Sequence, residues 1–289
     1  MGEEMAVLEI VNRPPHRLYR YRASRTLYFL DEIKQALAQN IYVTPYSGMN
    51  DPFEASPAII ASTDREVTDF VRECKKKNGR YALPTGTNAV EAGRKFGFAK
   101  KSYKNKFPTT YSLARYSRSI VPKLVARIRT GHSIASFSEV PDSLLMWAHY
   151  GGAHGGIVME YEFDEGPARR GDSRNPVRVR YNLDRPKLTE LEILKFACRV
   201  DGMKEEDLKQ RVFEGVWLTK SRDWAYEKEW RVICMRASGY EYVPSLKLSR
   251  IILGPFIEEN VKGDVFSAVG DRVQIDQVEL HQEEFSLKV

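Results

Sequence analysis

The sequence predicts an α+β chain whose core is a split mixed/antiparallel β-sheet interrupted by a helical insertion. Three observations carry that expectation. Short runs with a two-residue apolar period recur along the chain, as in "HSIASFS" and "EWRVICM". Runs with helical spacing separate them, as in "TLYFLDEIKQALAQN". A middle stretch, residues 65–130, combines helical periodicity with a strong basic excess. Side chains two apart share a face of a strand and side chains three or four apart share a face of a helix, so the period distinguishes the two.

In chain order, "HRLYRYRA" alternates as a strand, with Leu18 opposite to Tyr19 and Tyr21. The helix that follows carries Leu27, Leu30, Ile33 and Leu37, with Asn40 as its stop. "IYVTP" is a short strand and "YSGMNDPFE" is loop chemistry. In the basic stretch, "REVTDFVREC" places Val67, Phe70, Val71 and Cys74 on one stripe, and "SLARYSRSIVPKLVARIRT" places Leu113, Tyr116, Ile120 and Leu124 on another. Pro122 is expected to kink or split that second helix. A loop-rich segment lies between them. Beyond it, "HSIASFS", "GGIVMEYEF", "PVRVRYN", "EWRVICM", "SRIILG" and "VQIDQVEL" read as strands. "DSLLMWAHYG", "LTELEILKFACRV", "KEEDLKQRVFEGVWLTK" and "EENVKGDVFSAV" read as helices.

Composition narrows the class. No window approaches the roughly 18 apolar residues of a membrane span. The acidic N-terminus "MGEEMAVLEIVN" lacks the basic and apolar regions of a signal peptide. Cys74, Cys198 and Cys234 are odd in number and widely separated, which fits a reducing compartment. A cytoplasmic chain with no membrane partner is therefore expected. Between Arg72 and Arg129 there are sixteen Lys/Arg against Glu73 and Glu91, a net of +14; the whole chain is +6, leaving −8 for the rest. That asymmetry points either to a polyanionic partner, such as DNA or RNA, or to a solvated basic face. Lys75, Lys76, Lys77, Lys101, Lys104 and Arg127 are the candidate contacts.

Several chemistries have no signature. There is no phosphate-binding G-x-x-x-x-G-K-[ST], and "YGGAHGGI" does not meet the dinucleotide spacing. There is no H-E-x-x-H, and His149 and His154, five apart, do not share a helical face, so no metal is expected. No G-x-S-x-G elbow appears. What stands out is "WAYEKEWRVI", with Glu227 and Glu229 one residue apart at the start of a strand and Arg231 on the same face. Two like charges on one face repel unless a cation or a ligand uses them.

"LYRYR", "NDPFE", "SFSE", "LLMWAHYGGAHGGIVMEY" and "WAYEKEWRVI" in this order resemble a large bacterial family of uncharacterised proteins, from about Leu18 to the C-terminus around the basic insertion. A more remote resemblance is to ADP-ribosyltransferases of the arginine–serine–glutamate class. Those carry an Arg on the first strand, a Ser-x-Ser on a middle strand and a Glu-x-Glu opening a late strand. Here Arg20 or Arg22, then Ser136-Phe137-Ser138, then Glu227-Lys228-Glu229 follow that order, with Phe137 where Thr is usual.

The resemblance implies a single ADP-ribosyltransferase-like domain over residues 1–289, with the basic segment 65–130 inserted, and NAD as substrate. Breaking the bond between ribose and nicotinamide passes through an oxocarbenium-like state that a fixed carboxylate stabilises. Glu229 takes that role by resemblance, and Glu227 orients the acceptor or acts as its base. Arg20 would hold the pyrophosphate or the adenosine ribose, and Ser136 and Ser138 would bond the nicotinamide ribose or the glutamate. Tyr21, Tyr28, Trp147, Tyr150 and Trp224 would stack on the rings, and His149 joins the cofactor-binding set. The implied role is an effector, toxin or phage-defence enzyme with a DNA or RNA acceptor and a cognate antitoxin.

The same residues admit structural readings. Arg20 and Arg22 fit exposed strand positions, Ser138 fits a helix cap, Trp147 and Tyr150 fit a core, and His149 and His154 fit satisfied histidines. "NDPFE" fits a turn that pins a loop. A nuclease-like effector without NAD and a non-catalytic interaction module are the competing functions.

Overall fold

Alternation along "RLYRYR" buries both faces of the first strand, β1 (Arg17–Arg22), and makes it one of the inner strands of the sheet. The structure, a computed structural model, describes residues 13–76, 110–164, 175–197, 205–234 and 238–289. The chain divides into two units: residues 1–50, 131–183 and 220–289 form one, and residues 51–130 and 184–219 form the other.

The first unit holds a nine-stranded mixed sheet. Its strands are β1, β2 (Asn40–Pro45), β4 (Ser133–Ser138), β5 (Ile157–Phe163), β6 (Val177–Arg178), β10 (Glu229–Cys234), β11 (Gly239–Tyr242), β12 (Leu246–Leu253) and β13 (Gln274–Gln277). Among the described residues its strands pair antiparallel, except β12 with β13, which are parallel. The sheet forks at β4. One edge of β4 pairs along its length with β10, while the other is shared by β1 at Ser138 and by β2 at Ser133 and Ile134.

Register fixes which side chains meet. Tyr19 pairs with Ser138, Ser138 with Glu229, and Ser136 with Arg231. Directly opposed residues share a face. Tyr19, Ser136, Ser138, Glu229 and Arg231 therefore lie on one face, and Arg20, Phe137 and Trp230 on the other. The second face is the main apolar core. Leu18, Phe137, Tyr161, Trp230 and Val232 pack there with Phe29, Ile33 and Ala36 of α1 (Phe29–Leu37). Val265, Ala268 and Val269 of the helix Glu259–Val269 join them. Each fully buried aliphatic or aromatic side chain contributes about 1.5–3 kcal/mol. On the first face Tyr19, Tyr21, Val158 and Ile252 pack against Met146 and Trp147 of the short helix Leu144–His149. Ser143 caps that helix, its Oγ accepting from the Met146 N–H.

In the second unit, β3 (Ala58–Ile60) pairs in parallel with β8 (Lys187–Thr189). The helices of the unit include α2 (Asp64–Lys76), α3 (Thr110–Thr130) and the helices Glu190–Ala197 and Glu205–Trp217. The segment expected to be an insertion, 65–130, thus belongs with residues 184–219. α3 continues through Pro122 as one helix, so of the kink or split expected there the split does not occur. One of the basic residues of the stretch has an internal role. Arg118 is bonded to Asp64, to the Ser62 carbonyl and, at 3.0 Å, to Glu190, joining the start of α2 to the helix that begins at Glu190. Of the expected polyanion contacts, Arg127 is exposed in the last turn of α3. The side chains of Lys75, Lys76, Lys77, Lys101 and Lys104 lie outside the described residues.

The glycine-rich "YGGAHGGI" forms a tight turn joining the helix Leu144–His149 to β5. Gly152 adopts φ +59°, and a Cβ on Gly156 would fall 2.1 Å from the Arg22 carbonyl oxygen. The glycines are there for backbone approach. Gly156→Ala is expected to destabilise the chain by about 1–3 kcal/mol through overpacking against backbone. A thermal melt equal to that of the unsubstituted chain would contradict this.

Candidate functional site

The two glutamates of "EKE" reach one spot by a turn and a strand. Glu227 ends a 3-10 turn, Arg222–Glu227, whose start is capped by Ser221. Lys228 follows in the left-handed region at φ +44°, which leaves its own side chain exposed and turns both neighbours inward. Glu229 then opens β10. The turn is fastened to the sheet by its backbone. Ser138 Oγ donates to the Glu227 carbonyl (2.7 Å), the Glu139 N–H donates to the Lys228 carbonyl (3.2 Å), and the Glu229 N–H donates to the Tyr181 hydroxyl (2.8 Å). Tyr181 comes from β7 (Arg180–Asn182), which pairs with β9 (Thr219–Ser221).

Between the carboxylates sits Lys220, from β9. Its Nζ lies 2.5 Å from Glu227 Oε2 and 3.4 Å from Glu229 Oε2, with the side chain only 2% exposed. The Trp224 ring covers it, 4.8 Å from Nζ to the centroid. Arg231 closes the far side as a fork, Nε to Glu229 Oε1 at 2.8 Å and Nη2 to Oε2 at 2.9 Å. Ser136 also bonds Glu229. Glu227 Oε1 accepts from the Tyr150 hydroxyl at 2.6 Å, and that hydroxyl accepts from the exposed Asn50 Nδ2 at 2.8 Å. Beside them His149 Nδ1 and the Tyr226 hydroxyl are 2.8 Å apart. A buried quartet of two acids and two bases thus lies under a rim of Asn50, His149, Tyr150, Trp224 and Tyr226.

The two carboxyls differ in proton affinity. Burial and the charge of Glu229 push Glu227 up to about 7, against the opposing pull of Lys220. Burial would raise Glu229 too, but Arg231 and Lys220 outweigh it and hold this carboxyl below the usual range. Burial acts to lower Lys220, and the attraction of Glu229 and Glu227 overcomes it, so its pKa is raised. Burial and the neighbouring Glu227 charge raise the Tyr150 hydroxyl.

Set against the sequence reading, the structure brings Ser136, Ser138, Tyr150, Glu227 and Glu229 together, with His149 at the rim. Arg20 does not join them. It lies on the opposite face, because Tyr19 and not Arg20 is in phase with Ser138. There its Nη2 meets the Tyr42 carbonyl and Glu32, and its guanidinium lies over Phe137. Arg22 pairs with the same Glu32. Tyr21 and Trp147 are buried in mutual edge contact, with the Tyr21 hydroxyl on the Val140 carbonyl and the Trp147 indole on the Pro141 carbonyl, so neither ring is free to stack on a ligand. Tyr28 stands exposed at the start of α1. Ser138 is not a helix cap, since it holds the Glu227 turn and Ser143 does the capping. "NDPFE" is a turn, with the Asp51 carboxylate accepting from the Phe53 N–H. Lys220 and Tyr181 are site residues that the sequence reading missed.

A family model described as "Protein of unknown function (DUF2971)" matches residues 146–232. That stretch runs from the helix preceding Tyr150 into β10 and contains Lys220, Glu227, Glu229 and Arg231. No curated protein and no solved structure matches the chain. No helix among the described residues is long and apolar enough to cross a membrane.

The raised Glu227 carboxyl sets a pH dependence. Between its ordinary value of 4.5 and about 7 the folded chain holds a proton that the unfolded chain has lost. Folding stability contributed by this group therefore falls as pH rises through that window. The lowered Glu229 acts in the opposite sense, and its stabilisation is lost only on acidification below the ordinary carboxylate range. Between pH 5 and 7.5 the melting temperature should fall by a few °C more for the unsubstituted chain than for Glu227→Gln. Parallel curves for the two would contradict the assignment.

Proposed function

We propose that the chain is an NAD-dependent ADP-ribosyltransferase, or an NAD glycohydrolase of the same type, serving as a bacterial effector, toxin or phage-defence enzyme. The observation that carries this reading is the buried carboxylate pair beside two serines of the adjacent strand, under an aromatic and amide rim. Transfer of ADP-ribose breaks the bond between the ribose anomeric carbon and the nicotinamide nitrogen. Positive charge develops on the ribose, and a carboxylate fixed in a poorly solvated site stabilises it strongly. Water or an acceptor hydroxyl then bonds the anomeric carbon and gives up its proton to a carboxylate, while the bonding pair leaves with nicotinamide. Trp224 and Tyr226, half-buried at the rim, offer ring faces suited to a nucleoside. Arg20, expected to contact the pyrophosphate, lies on the other face of β1. The basic excess between Arg72 and Arg129 supports DNA or RNA as acceptor.

A second reading has its own observation. The two-point Arg231–Glu229 pair and the Lys220 bridge form a closed ion cluster that fastens β10 to its neighbours, as a non-catalytic module would need.

Incubation with NAD should release nicotinamide, and Glu→Gln at either 227 or 229 should lower that release at least about 100-fold. Circular dichroism controls for folding, and parallel reactions with water, DNA or RNA identify the acceptor. A folded chain that releases no nicotinamide with any of the three overturns the transferase reading and leaves the closed cluster as its role.

A further inference from the structure

We infer that Glu227, and not Glu229, is the carboxylate that meets the reacting atoms, and that Lys220 and Tyr150 are positioning residues that orient it. This rests on the enzymatic reading above. The sequence order alone favours Glu229, because it opens the strand. Counting acceptor positions reverses the choice. An ionised carboxylate has about four lone-pair positions. At Glu229, Arg231 occupies two, Lys220 and Ser136 the others. At Glu227, Tyr150 takes one on Oε1 and Lys220 one on Oε2. Only Glu227 retains acceptor positions for an incoming hydroxyl.

Placement agrees. Glu229 lies within the strand, flanked by the Arg231 fork and the Tyr181 hydroxyl on its own N–H. Glu227 lies in the turn, and its Tyr150 partner touches the exposed Asn50. The charged and titratable groups that face Glu227 are Glu229 and Arg231 from β10, Lys220 from β9, Tyr181 from β7, Tyr150 after the helix Leu144–His149, and Tyr226 from its own turn. Among these, Lys220 is the cation bonded to it. The shift of Glu227 to about 7 gives a base that is substantially ionised at neutral pH yet still accepts a proton readily. In the step itself the acceptor O–H proton passes to Glu227, the oxygen bonds the anomeric carbon, and nicotinamide departs with the electron pair. Glu229 remains an anion throughout, keeping Arg231 and Lys220 in place.

The test joins kinetics with titration. The pH profile of nicotinamide release is measured alongside carbon-13 NMR of glutamate side-chain carboxyls. The rate should rise with a midpoint matching one carboxyl that titrates near neutrality, and that resonance should vanish in Glu227→Gln. Lys220→Met should move both midpoints up by about one unit or more, as loss of a close opposite charge does. Lys220→Arg should restore them. Tyr150→Phe should shift the same midpoints with a smaller loss of kcat. Should Lys220→Met fail to fold, Tyr150→Phe and Glu227→Gln decide the matter. Release that survives in Glu227→Gln, or a neutral-range carboxyl that is lost only in Glu229→Gln, overturns this inference while leaving the enzymatic reading intact. A folded chain that releases no nicotinamide overturns both.

Discussion

A lysine ammonium wedged between two buried glutamates is the constraint on which the rest of this unit turns. Taking any one ion out of water costs several kcal/mol, and the attraction of its partners offsets that only if the geometry is good and every proton and lone pair finds a place. Lys220 bonds Glu227 and Glu229, and Arg231 bonds Glu229 at two points. Removing one member leaves the buried cluster with a net charge, so each of the four supports the others. The surrounding chain follows from that requirement. β9 must deliver Lys220, the left-handed Lys228 must turn Glu227 inward, and β4 must present Ser136 and Ser138 on the same face.

The sheet separates two jobs by face. One face is apolar along β4 and β10, where Phe137 and Trp230 oppose each other over α1 and the helix Glu259–Val269. The other is apolar under the helix Leu144–His149 and becomes polar at the end where β4 and β10 meet the Glu227 turn. Buried ions gather at that end because the turn, two short strands and the end of a short helix all contribute polar groups there. Arg20 belongs to the apolar face, where Glu32 and the Tyr42 carbonyl satisfy part of its guanidinium.

Alternation along "SIASFS" and "EWRVIC" was enough to place Ser136, Ser138, Glu229 and Arg231 on common faces within their strands. The phase of β1 against β4 was not legible, because a period of two does not say which of Tyr19 and Arg20 opposes Ser138; that is set by tertiary pairing. Lys220 escaped for another reason. Helical spacing runs through "KEEDLKQRVFEGVWLTK", yet the helix ends at Trp217 and the three residues of β9 follow. A lysine is also the residue least expected inside. At Pro122 the split that a proline allows does not occur, since α3 continues through it. The glutamate pair itself was visible as an unexplained repulsion, and its partners required coordinates.

The stretch similar to the DUF2971 family model contains Lys220 and both glutamates but stops short of the Ser-x-Ser strand, so the site draws on residues from both inside and outside it. A structure with a non-cleavable NAD analogue would show directly whether Glu227 meets the reacting atoms. The nicotinamide ribose should lie beneath the Trp224–Tyr226 rim, with room for an acceptor about 3–3.5 Å from the anomeric carbon and in reach of Glu227. An analogue bound away from Glu227, or none bound at saturating concentration, would contradict it.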